Sequence, residues 1–111
     1  MTDLNTAIAL SKGYKFGQPV SGMNRDIWYE TFPDSGWFET KCPDYEHDAR
    51  LYMALFEEMP RPALRKWGNR WYCMPDMDRS SKVQWVEYDA DTIGTAICIA
   101  YAKWKGIEVV G

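Results

Sequence analysis

An α+β fold, with a small antiparallel β-sheet packed with α-helices in an α/β/α sandwich-like arrangement, follows from three observations in this 111-residue chain. Apolar residues recur at helical spacing in two segments, 44–59 and 93–104, each preceded by an acidic cap. Aromatic and β-branched residues fill short blocks between them, at 27–32, 37–40, 70–74 and 82–88. Proline, glycine and short polar residues punctuate the joins. The predicted order is α-β-β-α-β-β-α in a single domain, 1–111.

Taken in order, residues 3–12 form a short helix with Thr2 as N-cap, Leu4, Ala7 and Ile8 turned inward, and Gly13 as the stop. Residues 14–22 read as irregular connection. Ile27–Phe32, Pro33-Asp34-Ser35-Gly36 and Trp37–Thr40 have the composition of strand, turn and return strand; a long loop with docked aromatics is the alternative. Residues 44–59 form the second helix, with Asp44 as N-cap, a stripe of Tyr45, Ala49, Tyr52, Phe56 and Met59, and Pro60 and Pro62 as terminators. Glu57 and Glu58 oppose the dipole at its C-terminus, which calls for pairing with Arg61 or Arg65, or with a binding partner. Residues 67–74 and 82–88 are read as antiparallel strands joined by an acidic loop. Asp91 caps the last helix, whose face is Ile93, Ile97, Ala100, Tyr101 and Trp104, and Gly106-Ile107 fits a Schellman stop. Residues 108–110 add a short edge strand.

Composition narrows the function classes. A net charge of −3 argues against a non-specific nucleic-acid binder and against a strongly acidic DNA mimic. No long apolar run offers a membrane span, and Met1-Thr2-Asp3-Leu4 lacks a basic signal-peptide start, so a cytosolic location is expected. Cys42, Cys73 and Cys98 are an odd set without a Cys-x-x-Cys pair, so reduced thiols are expected. The unusual feature is six Trp, seven Tyr and four Phe, more rings with polar edges than a small domain hides easily. An exposed aromatic patch, and with it an interaction surface, is the consequence.

Catalytic and metal-binding sets are weak. Cys42, Asp44 and His47 have the ligand types for zinc, but no fourth ligand of the usual kind accompanies them, and Asp44 is explained as a cap. Asp76, Asp78, Ser80 and Glu87 mimic part of a calcium-loop spacing, yet Ser81 stands where glycine is required and strand-like sequence follows. Cys42 and His47 lack an orienting third group for nucleophilic catalysis. Gly13-Tyr14-Lys15-Phe16-Gly17 has neither Walker nor Rossmann spacing. The chain is therefore expected to be non-enzymatic and to need no cofactor.

Several segments together carry a resemblance. Pro43-Asp44-Tyr45-x-x-Asp48 opens a helix, and Asp91-Thr92 leads into Ala96-Ile97-Cys98-x-Ala100-x-Ala102. Ala7-Ile8-Ala9-Leu10 and Gly13-Tyr14 agree in position. This combination resembles the phage ABA sandwich domain, a group of small phage- and prophage-encoded proteins. The resemblance implies a sandwich fold, a bacteriophage origin and residence in the host cytoplasm; it brings no site residues. The expected function is that of a phage accessory protein acting by macromolecular binding, without contact to a membrane. Inhibition of a host defence system, in the manner of anti-CRISPR proteins, follows only from the type of gene.

The residues expected to bind are Trp28, Trp37, Arg65, Trp67, Arg70 and Trp71, because Trp and Arg dominate interface energetics. A protein partner is the primary expectation. The alternative is single-stranded nucleic acid on the 61–72 strip, where Arg61, Arg65, Lys66 and Arg70 interleave with Trp67, Trp71 and Tyr72. On one regular strand Trp67 and Trp71 would share a face, with Gly68-Asn69 between them as a bulge that redirects one of the two; the alternative is that Trp71 packs in the core beside Trp85 and only Trp67 is exposed.

Overall fold

The computed structural model describes residues 3–34, 36–75 and 89–107 of the chain. The acidic loop at 76–81, the strand expected at 82–88 and the edge strand expected at 108–110 lie outside the described residues. The architecture is α+β, as the sequence predicts. Helices α1 (Leu4–Ser11), α2 (Ala49–Glu58) and α3 (Ile93–Lys105) accompany strands β1 (Lys15–Gly17), β2 (Ile27–Phe32), β3 (Gly36–Thr40), β4 (Ala63–Trp67), β5 (Arg70–Met74) and β6 (Asp89–Ala90). The strands form two antiparallel sheets, β1-β2-β3 and β4-β5-β6.

The helix ends follow from local chemistry. Asp3, not Thr2, caps α1: its carboxylate accepts from the Thr6 N–H at 2.7 Å. At the other end the Tyr14 N–H donates to the Ala9 carbonyl and the Gly13 N–H to that of Leu10, a Schellman stop with Gly13 at φ +100°. Helix α2 begins later than the sequence suggested. Asp48 is its cap, accepting from the Arg50 N–H, and Asp44 opens only an isolated turn before it. The reason is that the Asn5 side chain accepts from the Glu46 N–H, the bond that a capping Asp44 would have made, while Asp44 accepts from Asn5 and engages His47. Thr92, not Asp91, caps α3; Asp91 instead pairs with Arg70. The Ile107 N–H donates to the Ala102 carbonyl at 2.8 Å across Gly106, the Schellman stop expected there.

Helix α3 is the centre of the body. It packs against α1, α2, β5 and β6. Gly94, Ala96, Ile97, Cys98, Ala100, Tyr101 and Ala102 are buried, so the buried surface extends well beyond a single stripe. Alanine and glycine make this possible by letting neighbouring backbones come close. A Cβ placed on Gly94 would stand 1.9 Å from the Glu46 carbonyl oxygen. Trp104, expected on the buried face, is 38% exposed in the last turn of the helix. Around α3 collect Ile8, Ala9, Tyr45, Leu55, Met59, Cys73 and Ala90. On α2 the deepest position is Leu55; of the expected stripe, Tyr45 and Met59 are buried and Tyr52 and Phe56 pack against the core, whereas Ala49 is exposed.

At the acidic C-terminus of α2 the cation comes from far along the chain, where the sequence suggested Arg61 or Arg65. Glu58 pairs with Lys12, at the end of α1, and accepts from the Tyr101 hydroxyl at 3.2 Å. This joins all three helices at one point. Burial lowers the Lys12 pKa, but its bonds to Glu58 and Tyr101 outweigh that and raise it overall.

The second sheet lies on α3 by one face. Register pairs Leu64 with Cys73, Lys66 with Trp71, and Trp71 with Ala90. Cys73 and Ala90 are in the core, with Leu64 and Trp71 packed against it. The β4–β5 turn is Gly68-Asn69, with Gly68 at φ +64°, the glycine-first pattern of a type II′ hairpin. The sequence reading missed β4 and treated this turn as a bulge; it also missed β1, within the stretch 14–22 read as irregular connection. The first sheet is anchored at its base by buried Ile27 and by Trp28, which packs on the core. It then projects: residues 31–34 and 36–39 are exposed. The molecule measures 52 × 26 × 22 Å.

Two outcomes test this packing. Gly94→Ala, normally worth about 1 kcal/mol in favour of a helix, is expected to destabilise by about 2 kcal/mol or more because the Glu46 backbone must move. Urea unfolding checks it, and a gain in stability contradicts the close approach. Burial also pushes the Cys73 thiol up to about 12 and the Cys98 thiol up as well. These thiols are ordinary acids in the unfolded chain, so stability is complete below about pH 8.5 and falls as pH rises toward 12, by about 1.4 kcal/mol per pH unit for each thiol. Urea melts at pH 7 and 10 should differ accordingly, and Cys73→Ala should flatten the dependence.

Candidate binding surfaces

The first sheet carries aromatics on both faces, and its register assigns them. Phe16 pairs with Trp28, Glu30 with Phe38, Phe32 with Gly36, and Trp28 with Thr40. Paired residues in an antiparallel sheet share a face and alternate along each strand. One face therefore holds Phe16, Trp28, Glu30, Phe32 and Phe38. The other holds Tyr29 and Trp37. Ring contacts follow this assignment: Phe16–Trp28 at 5.3 Å, Phe32–Phe38 at 5.3 Å edge-on, and Tyr29–Trp37 at 6.4 Å edge-on. Phe16, Phe32 and Phe38 are 54%, 44% and 56% exposed. With about 200 Å² per ring residue, this is about 300 Å² of exposed phenylalanine surface, in the range of patches that are often functional.

The second sheet has an outer surface of different character. On the face away from α3, Arg65 stands opposite Tyr72, and Trp67 opposite Arg70. Rings and guanidinium groups thus alternate diagonally, with Trp67 and Tyr72 edge-on at 6.2 Å. Trp67 is 67% exposed. Arg70 is bound to Asp91.

These positions sort the expected binding residues. Trp28 and Trp37 lie on opposite faces of the first sheet, Trp28 half-buried against the core and Trp37 exposed. Arg65, Trp67 and Arg70 share the outer face of the second sheet. Trp71 does not join them. Trp67 and Trp71 sit on different strands, and the Gly68-Asn69 turn places them on opposite faces: Trp71 packs inward, under the Lys66 ammonium group at 5.5 Å. Lys66 leaves the basic strip for the same reason. The sequence reading missed Phe16, Glu30, Phe32 and Phe38. The alternation Trp28-x-Glu30-x-Phe32 was the available signal, and Phe16 had none because β1 is only three residues long.

The Cys42, Asp44 and His47 region is a hydrogen-bonded turn. His47 Nδ1 lies 2.9 and 3.0 Å from the two Asp44 oxygens, and Asn5 donates to the same carboxylate. The His47 bond holds the Asp44 pKa below its ordinary value. Cys42 Sγ is 3.7 Å from the Pro43 carbonyl oxygen. Burial raises its pKa, which disfavours the reactive thiolate. Among the described residues no three His, Cys, Asp or Glu side chains converge as metal ligands. No helix among them is long and apolar enough to cross a membrane.

No protein-family model, curated protein or solved structure matches the chain.

The face assignments predict opposite outcomes for two neighbouring tryptophans. Trp71→Ala should cost about 2 kcal/mol or more through lost packing. Trp67→Ala should stay within about 1 kcal/mol of the parent. Equal losses in urea unfolding contradict the assignment.

Proposed function

We propose that this protein acts by binding another protein through the first sheet, chiefly the face of Phe16, Trp28, Phe32 and Phe38, without a catalytic step of its own. The observation that supports this is the exposure of three phenylalanines on one face of the sheet, two of them, Phe32 and Phe38, on a projecting hairpin whose distal half contributes little to the core. Phenyl rings left in water on a rigid strand are costly unless a partner covers them. The patch of about 300 Å² is smaller than the roughly 800 Å² per side of a standard interface, so contact with Trp37 or with the edge of β3, which no described strand covers, completes the footprint. A phage origin, residence in the host cytoplasm and inhibition of a host defence system of the anti-CRISPR kind extend this reading. They rest on the resemblance to phage sandwich domains, and no residue here carries them.

A second reading has its own observation. The diagonal alternation of Arg65, Trp67, Arg70 and Tyr72 on the second sheet suits single-stranded nucleic acid, which needs stacking rings beside cations. The net charge of −3 weighs against it.

The test is quantitative capture of a specific protein from host lysate, followed by titration of the purified pair. Phe32→Ala with Phe38→Ala is expected to weaken binding by roughly thirtyfold or more, a hot-spot loss of about 2 kcal/mol, while Trp67→Ala leaves it unchanged. Full-strength binding by the folded double variant contradicts the proposal. Oligonucleotide binding that falls steeply with salt and is lost in Trp67→Ala supports the second reading instead.

A further inference from the structure

Glu30 lies in the middle of the aromatic face. Register places it opposite Phe38, and strand alternation places it between Trp28 and Phe32 on β2. It is half-buried. Its carboxylate makes no hydrogen bond and no ion pair with any described residue. Other carboxylates nearby behave differently: Glu39, on the opposite face, pairs with Arg25 at 3.1 Å. No lysine or arginine occupies this face of the three strands, since Lys15 falls with Tyr29 on the other. The face is thus a negative centre ringed by phenyl and indole groups, with no cation of its own among the described residues.

That combination selects a cation with an extended flat or apolar body. Ring faces attract cations, and a carboxylate supplies the directional acceptor. Guanidinium satisfies both requirements, because it stacks on a ring and donates a fork of N–H bonds in the same plane. An ammonium group would reach the carboxylate but would stack poorly.

We propose that the aromatic face of the first sheet receives an arginine side chain from an extended segment of the protein partner, with Glu30 as its counter-charge and Phe38 and Trp28 as its walls. This rests on the reading of that face as a protein-docking surface and specifies its chemistry. The edge of β3 is open in the described sheet order, so an extended segment can add beside it. A strand there lies about 10 Å from β2, two interstrand spacings. An arginine opposite Phe38 crosses that gap over the Phe38 ring and ends at Glu30. Nucleic acid is the wrong occupant for this face, because its phosphates would meet Glu30. A second copy docked by the same face would bring a second Glu30 carboxylate to the same centre without a cation from its three strands.

The experiment is a two-dimensional ¹H–¹⁵N NMR titration of the full chain with a blocked pentapeptide of alternating threonine and valine around a central arginine. The control peptide carries citrulline, the neutral isostere. Saturable shifts confined to residues 28–40 are expected with the arginine peptide. Replacing arginine by citrulline, or Glu30→Gln in the protein, should each weaken binding roughly tenfold, as expected for one charged hydrogen bond. The Glu30→Gln spectrum, unchanged outside the hairpin, establishes that the variant is folded. Equal shifts with both peptides, shifts elsewhere, or no shifts at millimolar peptide overturn the proposal. So does concentration-dependent self-association lost in Phe38→Ala, which would assign the face to a second copy, or binding of oligo-dT at the same residues. The underlying docking reading fails separately: a captured partner that ignores Phe32→Ala and Phe38→Ala refutes the docking face, whereas one that needs both but ignores Glu30→Gln refutes only the arginine.

Discussion

The burial of α3 is the constraint on which the rest of the structure depends. A helix hidden on most sides must be approached closely by several neighbours, and only small residues permit that. Ala96, Ala100 and Ala102 bring α1, α2 and the second sheet near, and Gly94 lets the Glu46 backbone sit where a methyl group would be. The Lys12–Glu58–Tyr101 junction then ties the helix ends together with two polar contacts, whose attraction outweighs the desolvation of Lys12. Thr95 adds a link by donating to Glu46 at 2.9 Å.

Once α3 is enclosed, its apolar surface is spent. The second sheet uses one face to close the core, and the first sheet finds room only for its base. Trp28 and Ile27 fill that room. Beyond them β2 and β3 run outward with rings on both faces, stabilised by edge-on contacts among themselves. Such pairs contribute about 0.5–1.5 kcal/mol each, enough to hold the hairpin's shape but not to justify aromatic residues in water over polar ones. The composition of the hairpin is therefore not explained by what it supports within the fold.

Much of the fold was legible in the sequence, because hydrophobic period and turn chemistry act locally. The hairpin at 27–40, the Schellman stops at Gly13 and Gly106, and the depth of Ile97 all follow from residues close in the chain. The misreadings came from residues far apart. Asp44 looks like a cap until Asn5, thirty-nine positions away, engages it and claims the Glu46 N–H. Asp91 looks like one until Arg70 draws it off. The face of Trp71 depended on whether Gly68-Asn69 bulged within one strand or turned between two, and only the pairing of Ala63–Trp67 with β5 decides that. In the binding surface, tryptophans drew attention by their size, while the alternation that places Glu30 among phenylalanines was less conspicuous.

Native-state hydrogen exchange tests most directly the claim that α3 carries the stability and the hairpin does not. Amides of Ala96–Ala102 should exchange only through global unfolding, whereas those of residues 30–38 should exchange through local opening at a much smaller free energy. Replacing Phe32 and Phe38 by serine should leave the protection of α3 unaltered. Equal protection in the hairpin and in α3, lost together in the serine variant, would contradict the account and make the aromatic face part of the core.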